Sequence, residues 1–181
     1  EDGENHLYIN KGNFDFDLLK NSILTESKSF TYGCSAADYN NDGLIDLFFA
    51  NWANKNELYM NLGELKFKKI KSGAIVQDYD NTEGSCWGDY DNDGFLDLYI
   101  CNFHTYLINF ENELYHNNGD GTFTEKGTKL GMAYGENGEA RAGMGIDAGV
   151  VDSSGHPSIF VGNFSSEMIG VYRYSGKGWF N

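Results

Sequence analysis

The chain has 181 residues, the length of one domain, and its 40% hydrophobic and 22% charged composition excludes a disordered chain. Its formal net charge of −14, from 13 basic and 27 acidic residues, excludes nucleic acid and anionic membrane surfaces as partners and favours cations. No apolar stretch approaches the roughly 18 residues that a transmembrane segment needs, and 23 glycines, a single proline and 15% aromatics point to short strands and tight turns.

In chain order, the first element is NHLYINKGNFDF (Asn5–Phe16), two strands around a turn, read as a half blade over residues 1–20. Next come GCSAADYNNDGLIDLFFANW (Gly33–Trp52), two strands around an Asp-rich loop, and NELYMNLGELKF (Asn56–Phe67), two strands around a Gly/Asn turn; together they make a blade over 30–70. The pair recurs as GSCWGDYDNDGFLDLYICNF (Gly84–Phe103) and NELYHNNGDGTF (Asn112–Phe123), a blade over 84–126. A third copy, GMGIDAGVVDSSGHPSIFVGNF (Gly143–Phe164) with IGVYRYSGKGWF (Ile169–Phe180), gives a blade over 142–181 whose loop has decayed. The turn glycines Gly43, Gly94 and Gly155 are 51 and then 61 residues apart. Such a recurring four-strand unit predicts an all-β fold, a β-propeller of four-stranded blades.

Residues 45–50 and 96–101 are short apolar runs bounded by turn residues, as for strands buried on both faces, while 57–61 and 113–117 read as half-buried strands. Asn51, Asn102 and Asn163 end the second strand of each unit and are expected to cap its exit. Trp52, Phe103 and Phe164 follow them and are expected to pack between neighbouring blades. Asn163-Phe164-Ser165 is also a glycosylation sequon, but its place in this series makes the asparagine structural. About three and a half blades are present against the four to eight of closed propellers, so the chain is expected to be part of a larger propeller or to be completed by other subunits. The opening Glu1-Asp2-Gly3 reads as a mature or truncated product.

Two loops carry the chemistry. DYNNDGLID places Asp38, Asn40, Asp42 and Asp46 at positions 1, 3, 5 and 9, and DYDNDGFLD places Asp89, Asp91, Asp93 and Asp97 there. Leu44 and Phe95, at position 7, can each add a backbone carbonyl, and Gly43 and Gly94 permit the sharp turn. Calcium takes six to eight hard oxygen ligands in flexible geometry, which this pattern supplies once water is counted; magnesium keeps more of its water, and zinc wants His or Cys, which neither loop contains. One calcium ion per loop, two in all, is the expectation. An EF-hand would need an acid at position 12, where Phe49 and Ile100 stand. In the third loop the ligand positions hold Val150, Asp152, Ser154 and Ser158, so no ion is expected, and Asp147 lies outside the spacing.

Other residues read as structural. Cys34, Cys86 and Cys101 lack metal or redox spacing; they read as strand cysteines, with a Cys34–Cys86 disulfide conceivable. The histidines His6, His104, His116 and His156 are dispersed, and His116 holds the strand position of Met60 and Ile9. The acidic stretch 78–83 reads as a surface loop. The segment Phe103–Glu111 is five residues longer than its counterpart Trp52–Lys55 and is expected to form a contact surface.

These motifs resemble the FG-GAP/VCBS repeat family, which includes the integrin α-subunit propeller, and are most similar to the repeats of ASPIC/UnbV-type proteins and of cartilage acidic protein. The resemblance implies calcium in the hairpin between the first two strands of a blade and an extracellular or cell-surface location, with the periplasm as its bacterial equivalent. Asn40 in place of Asp departs from the pattern but keeps an oxygen. No nucleophile elbow or phosphate loop is present, so the chain reads as a non-enzyme: a calcium-binding module for protein or glycan ligands at blade edges or loops, in adhesion or surface assembly. The alternative is the propeller domain of a secreted carbohydrate-active enzyme such as a polysaccharide lyase, for which Arg141 and Arg173 would have to supply the cationic clamp.

Overall fold

The computed structural model describes residues 5–105, 108–135, 137–140, 143–163, 168–177 and 180, without the side chains of 104, 105, 108 and 109. It is all-β. A hairpin of β1 (Leu7–Gly12) and β2 (Asp15–Leu19) comes first. A four-stranded meander follows, in spatial order β3 (Phe30–Ala37), β4 (Asp46–Trp52), β5 (Glu57–Asn61), β6 (Phe67–Ile70). The next meander is β7 (Thr82–Gly88), β8 (Asp97–Asn102), β11 (Glu113–Asn117), β12 (Phe123–Glu125), with the small hairpin β9 (His104–Thr105) and β10 (Ile108–Asn109) inserted after β8. The last sheet is β13 (Gly143–Gly149), β14 (Ser158–Asn163), β15 (Gly170–Arg173). Among the described residues all pairings are antiparallel, and no sheet closes on itself. In the last sheet a single bridge, Tyr174 to Phe180, stands where the others have a fourth strand.

The sheets stack as blades because their second strands are apolar on both faces. In β4, Phe48 and Ala50 enter a core shared with Leu98, Ile100, Tyr115 and Phe123 of the next sheet, while Phe49 turns the other way to Leu24 and Tyr59. In β8, Leu98 and Ile100 face back, and Tyr99 and Cys101 face forward to Ile159 and Val161. The first strands β3, β7 and β13 lie side by side, close enough that Ser35 and Ser85 share a 2.8 Å hydrogen bond between sheets. Small residues allow this approach: a Cβ on Gly143 would stand 2.6 Å from the Cys101 Cβ. The cysteines are free thiols, two of them buried and Cys34 exposed, so no disulfide joins Cys34 to Cys86.

A polar bridge repeats at the end of the blades away from the Asp loops. Asn5 Nδ2 donates to Thr31 Oγ1 (3.1 Å), which donates to Asn51 Oδ1 (2.8 Å). One sheet further on, Asn56 Nδ2 donates to Thr82 Oγ1 (3.0 Å), which donates to Asn102 Oδ1 (2.9 Å). Each threonine thus accepts from the previous sheet and donates within its own. The capping role expected of the strand-end asparagines is present in all three: Asn51, Asn102 and Asn163 donate to the carbonyls of Lys55, Glu111 and Met168. Trp52 packs on Phe103 at 4.9 Å between ring centroids, as expected, whereas Phe164 lies outside the described residues.

Register corrects the third repeat by two residues. Thr31, Thr82 and Gly143 are the residues opposite Asn51, Asn102 and Asn163, and each is followed by an irregularity in the ladder. Gly145, not Gly143, is therefore the counterpart of Gly33 and Gly84. The bridging hydroxyl is missing at Gly143, and the two atoms it would have joined, Asn112 Nδ2 and Asn163 Oδ1, are buried without a hydrogen-bond partner among the described residues.

Replacing the fully buried Thr82 by isosteric valine orphans a donor on Asn56 and an acceptor on Asn102 at once. The expected loss is about 2–3 kcal/mol in urea unfolding. An unchanged midpoint would show that the bridge carries no stability.

Candidate metal centre

Both intact loops are built on the same backbone plan. In the first, the Asp38 carboxylate accepts the N–H groups of Asp42 (3.0 Å) and Gly43 (2.8 Å), and Asp42 Oδ1 accepts the N–H of Leu44 (2.8 Å). In the second, Asp89 accepts from Asp93 (3.0 Å) and Gly94 (2.9 Å), and Asp93 Oδ1 accepts from Phe95 (2.9 Å). The turn needs left-handed backbone, supplied by Asn41 and Gly43 in one loop and by Asn92 and Gly94 in the other, with φ between 58° and 92°.

The ninth-position acids fasten loop to blade. Asp46 accepts the N–H of Tyr39 (3.3 Å) at the loop entrance and of Asn61 (2.7 Å) at the end of β5. Asp97 accepts the equivalent pair from Tyr90 (3.1 Å) and Asn117 (2.8 Å). Both carboxylates are 1% exposed. Burial pushes the Asp46 carboxyl up to about 6 and that of Asp97 up to about 8, against the opposing pull of those N–H groups; the neighbouring loop acids add to the rise. Asp91 is raised by burial and by Asp93. These are carboxylates crowded together, short of water and of positive charge.

In the second loop, oxygens of Asp89, Asp91 and Asp97 lie within 4.8 Å of one another, and Asp91 Oδ1 is buried with no hydrogen-bond partner. A divalent cation fits that donor set: three hard oxygens converge, Asp91 carries an oxygen with nothing else to bind, and among the described residues no lysine or arginine reaches them. The first loop holds Asp38, Asn40, Asp42 and Asp46 in the corresponding places, with Asn40 Nδ2 donating to Asp42 Oδ2 (2.9 Å) and Asn40 Oδ1 accepting the Asp42 N–H (3.0 Å). Leu44 and Phe95 sit in the turns where position 7 was expected. In the third loop, Val150 is exposed, Asp152 accepts the N–H of Ser154 (2.8 Å), and Ser158 is buried at the ninth position. Its turn glycine, Gly155, keeps the left-handed backbone at φ 79°.

The loops also touch in series. Asn41 Nδ2 donates to the Gly94 carbonyl (3.0 Å), and Asn92 Nδ2 donates to that of Gly155 (3.4 Å).

Two features escape a reading of loop spacing. His116, expected to be structural, leans from β11 over the second loop: its Nδ1 is 3.1 Å from Asp97 Oδ1 and 3.6 Å from Asp91 Oδ2, and its Nε2 is 4.0 Å from Asp93 Oδ2. The other is a pocket of about 310 Å³ at the opposite end of the second blade, lined by Asp80, Glu111, Glu113 and Glu125. The Tyr115 hydroxyl donates to Asp78 and also lies within hydrogen-bond distance of Glu113 Oε1, and Asn102 Nδ2 lies 3.3 Å from Asp80 Oδ2. In the first blade the equivalent Glu57 is neutralised by Lys69 and receives Ser27 and Tyr59 hydroxyls. Lys69 lies opposite Tyr59 in the ladder, and Glu125 lies opposite Tyr115. The acid therefore stands where the cation would be. Burial, then Asp78 and Asp80, push the Glu113 carboxyl up to about 8, and burial with Asp78 and Glu111 pushes Asp80 up to about 6. The acidic stretch 78–83, read as a surface loop, thus contributes two carboxylates to a half-buried cluster.

Stacked antiparallel four-stranded sheets with an Asp loop in the first hairpin define a repeat module of the FG-GAP class. The model of the FG-GAP-like repeat family matches residues 1–49 and 38–100, and the chain belongs to that family. Among curated proteins it is similar to cartilage acidic protein 1 of Mus musculus, 28% identical over 106 residues, and to those of Homo sapiens (27%) and Xenopus tropicalis (26%). Each match takes in 56% of this chain and 16% of the relative, so the chain spans about a sixth of the length of these proteins.

The Glu113 pocket gives a pH-dependent stability of defined sign. A carboxyl raised in the folded state takes up a proton on folding, so its contribution is complete below the ordinary glutamate value of 4.5 and is lost as pH rises through about 8. Glu113→Gln, which mimics the protonated form, is expected to match the wild type at pH 5 and to exceed it by on the order of 2 kcal/mol at pH 9. Urea unfolding at the two pH values checks this; equal differences at both would remove the pocket as the cause.

Proposed function

We propose that the chain is an extracellular calcium-binding propeller module, a binding domain and not an enzyme, with one calcium ion in each intact loop. Asp38, Asn40, Asp42 and Asp46 with the Leu44 carbonyl would hold the first ion, and Asp89, Asp91, Asp93 and Asp97 with the Phe95 carbonyl the second. The observation that carries this reading is the convergence of oxygens of Asp89, Asp91 and Asp97, with Asp91 also carrying a buried, unpartnered Oδ1. The ion would supply the positive charge these carboxylates lack. Because Asp46 and Asp97 also hold the end of the third strand of their blades, an ion seated on them ties the first hairpin to the rest of the sheet. Calcium here is a structural staple that keeps the blade edges and loops in shape for a protein or glycan ligand, in adhesion or surface assembly. Completion of the propeller by further sequence or by other subunits belongs to the same proposal, as do the blade limits 1–20, 30–70, 84–126 and 142–181. The similarity to cartilage acidic protein 1 supports the extracellular setting. The carbohydrate-active alternative gains nothing from the structure: Arg141 lies outside the described residues, and Arg173 is an exposed residue on β15 that eases the charge of Asp152.

Calorimetric titration of the purified chain is expected to give two calcium ions, and one in either Asp42→Ala or Asp93→Ala. Ligand bound only to the folded state at 100 times its Kd adds about 2.7 kcal/mol, so Asp93→Ala should lower Tm by about 5–10 °C in calcium and change little in chelator. A stoichiometry of zero or three sinks the assignment.

A further inference from the structure

The two loops differ in one ligand-bearing position that lies outside the loops themselves. In β5 that position is Met60, opposite Lys68; in β11 it is His116, opposite Thr124. Neither loop sequence contains a nitrogen ligand, yet folding brings one to the second loop alone. The His116 side chain is 21% exposed, and its ring meets the Tyr90 ring edge-to-face at 5.9 Å.

Ring geometry assigns the two nitrogens different tasks. Nδ1, 3.1 Å from Asp97 Oδ1, is placed to donate its proton to that buried carboxylate. With the proton there, Nε2 is the free nitrogen, and Asp93 Oδ2 stands 4.0 Å from it. A histidine that gives one N–H to a carboxylate and keeps its other nitrogen free beside further carboxylates has the arrangement of a metal ligand with its supporting shell. Donor atoms of Asp91, Asp93 and His116 lie within 4.8 Å of one another, a second grouping beside that of Asp89, Asp91 and Asp97, with Asp91 common to both. Asp91 Oδ1, buried and unpartnered, is a further donor at the junction. Imidazole with carboxylates suits zinc and its first-row neighbours, whereas calcium takes oxygen alone.

We propose that the second loop, and not the first, is a site for a divalent transition-metal ion of the zinc class, held by His116, Asp91 and Asp93 with Asp97 supporting the imidazole. This rests on the reading of the loops as cation sites but is separable from calcium. Where calcium fills the oxygen-only position, the shared Asp91 and Asp93 make the two ions neighbours or competitors; the first loop, with Met60 in place of the imidazole, takes calcium only.

The test is a zinc titration of the full chain in the presence of calcium, by calorimetry, with cobalt absorption as a second readout of nitrogen coordination. One zinc ion per chain is expected, weakened about tenfold or more in His116→Met, with the cobalt spectrum lost. His116→Gln serves as a second variant, and thermal unfolding in calcium establishes that both are folded. Calcium titration of His116→Met should still give the first-loop ion. Zinc affinity unchanged in both variants would place the metal on another histidine and overturn the proposal, as would no zinc binding by the wild type. Zinc binding that depends on His116 in a chain that takes no calcium would sustain this proposal and sink the calcium reading.

Discussion

The architecture depends on strands that have no solvent side. Every residue of β8 is buried, and β4 is nearly so, with successive side chains entering different cores. Such a strand is stable only between two other layers, which forces the sheets to stack face to face. The remaining features accommodate that demand. Small residues and ladder irregularities let β3, β7 and β13 approach. Buried polar groups collect chiefly at the two ends: the Asp loops at one, the Asn–Thr bridges with Glu57 and Glu113 at the other. The site is in this sense a by-product of the core, since the turns are where a strand buried on both faces can place charge.

What could be read from the sequence follows the same division. The Asp loops, their turn glycines and the strand-end asparagines are local patterns, set by spacing along the chain, and their geometry agrees with that spacing. The residues missed depend on neighbours distant in sequence. His116 follows the second loop by some twenty positions and looks like any strand residue until β11 is laid beside β8. The acidic pocket joins Asp78, Asp80, Glu113 and Glu125 from separate elements. A signal was present in the comparison of repeats: Lys69 is replaced by Glu125, which reverses the charge, and Met60 by His116, which brings a nitrogen donor, at positions otherwise held in register. The two-residue error in the third repeat has a different cause. Its paired glycines, Gly143 and Gly145, look alike in the motif; the distance to the turn glycine, ten residues as from Gly33 to Gly43 and from Gly84 to Gly94, and the ladder opposite Asn163 both select Gly145.

The blades are therefore uniform in backbone and divergent in side chains. Glu57 and Glu113 stand on equivalent strands, yet one is compensated by a lysine and the other is crowded by carboxylates. The threonine bridge is present between the hairpin and the first four-stranded sheet and between the first and the second, but absent at the third, where two buried asparagine atoms are left over. A stack held by nearest-neighbour contacts tolerates such differences because each interface contributes on its own. The third interface differs in lacking the threonine bridge, yet its apolar cluster matches that of the second in size.

The hydrogen bonds from Asn41 to the Gly94 carbonyl and from Asn92 to that of Gly155 join the turns of successive blades into a chain. Gly94 is the sixth residue of the second loop, between two of its acids, so the first loop grips the second at its tightest point. Under the proposed calcium reading, an ion that narrowed the motion of one turn would reduce the conformational entropy its neighbour has still to lose, and a second ion would then meet a partly ordered loop. By thermodynamic reciprocity the help runs equally in both directions. The arrangement also gives the decayed third turn a use: without a full ligand set of its own, it receives order by contact from the second, so that a rim of three turns can be rigidified through two.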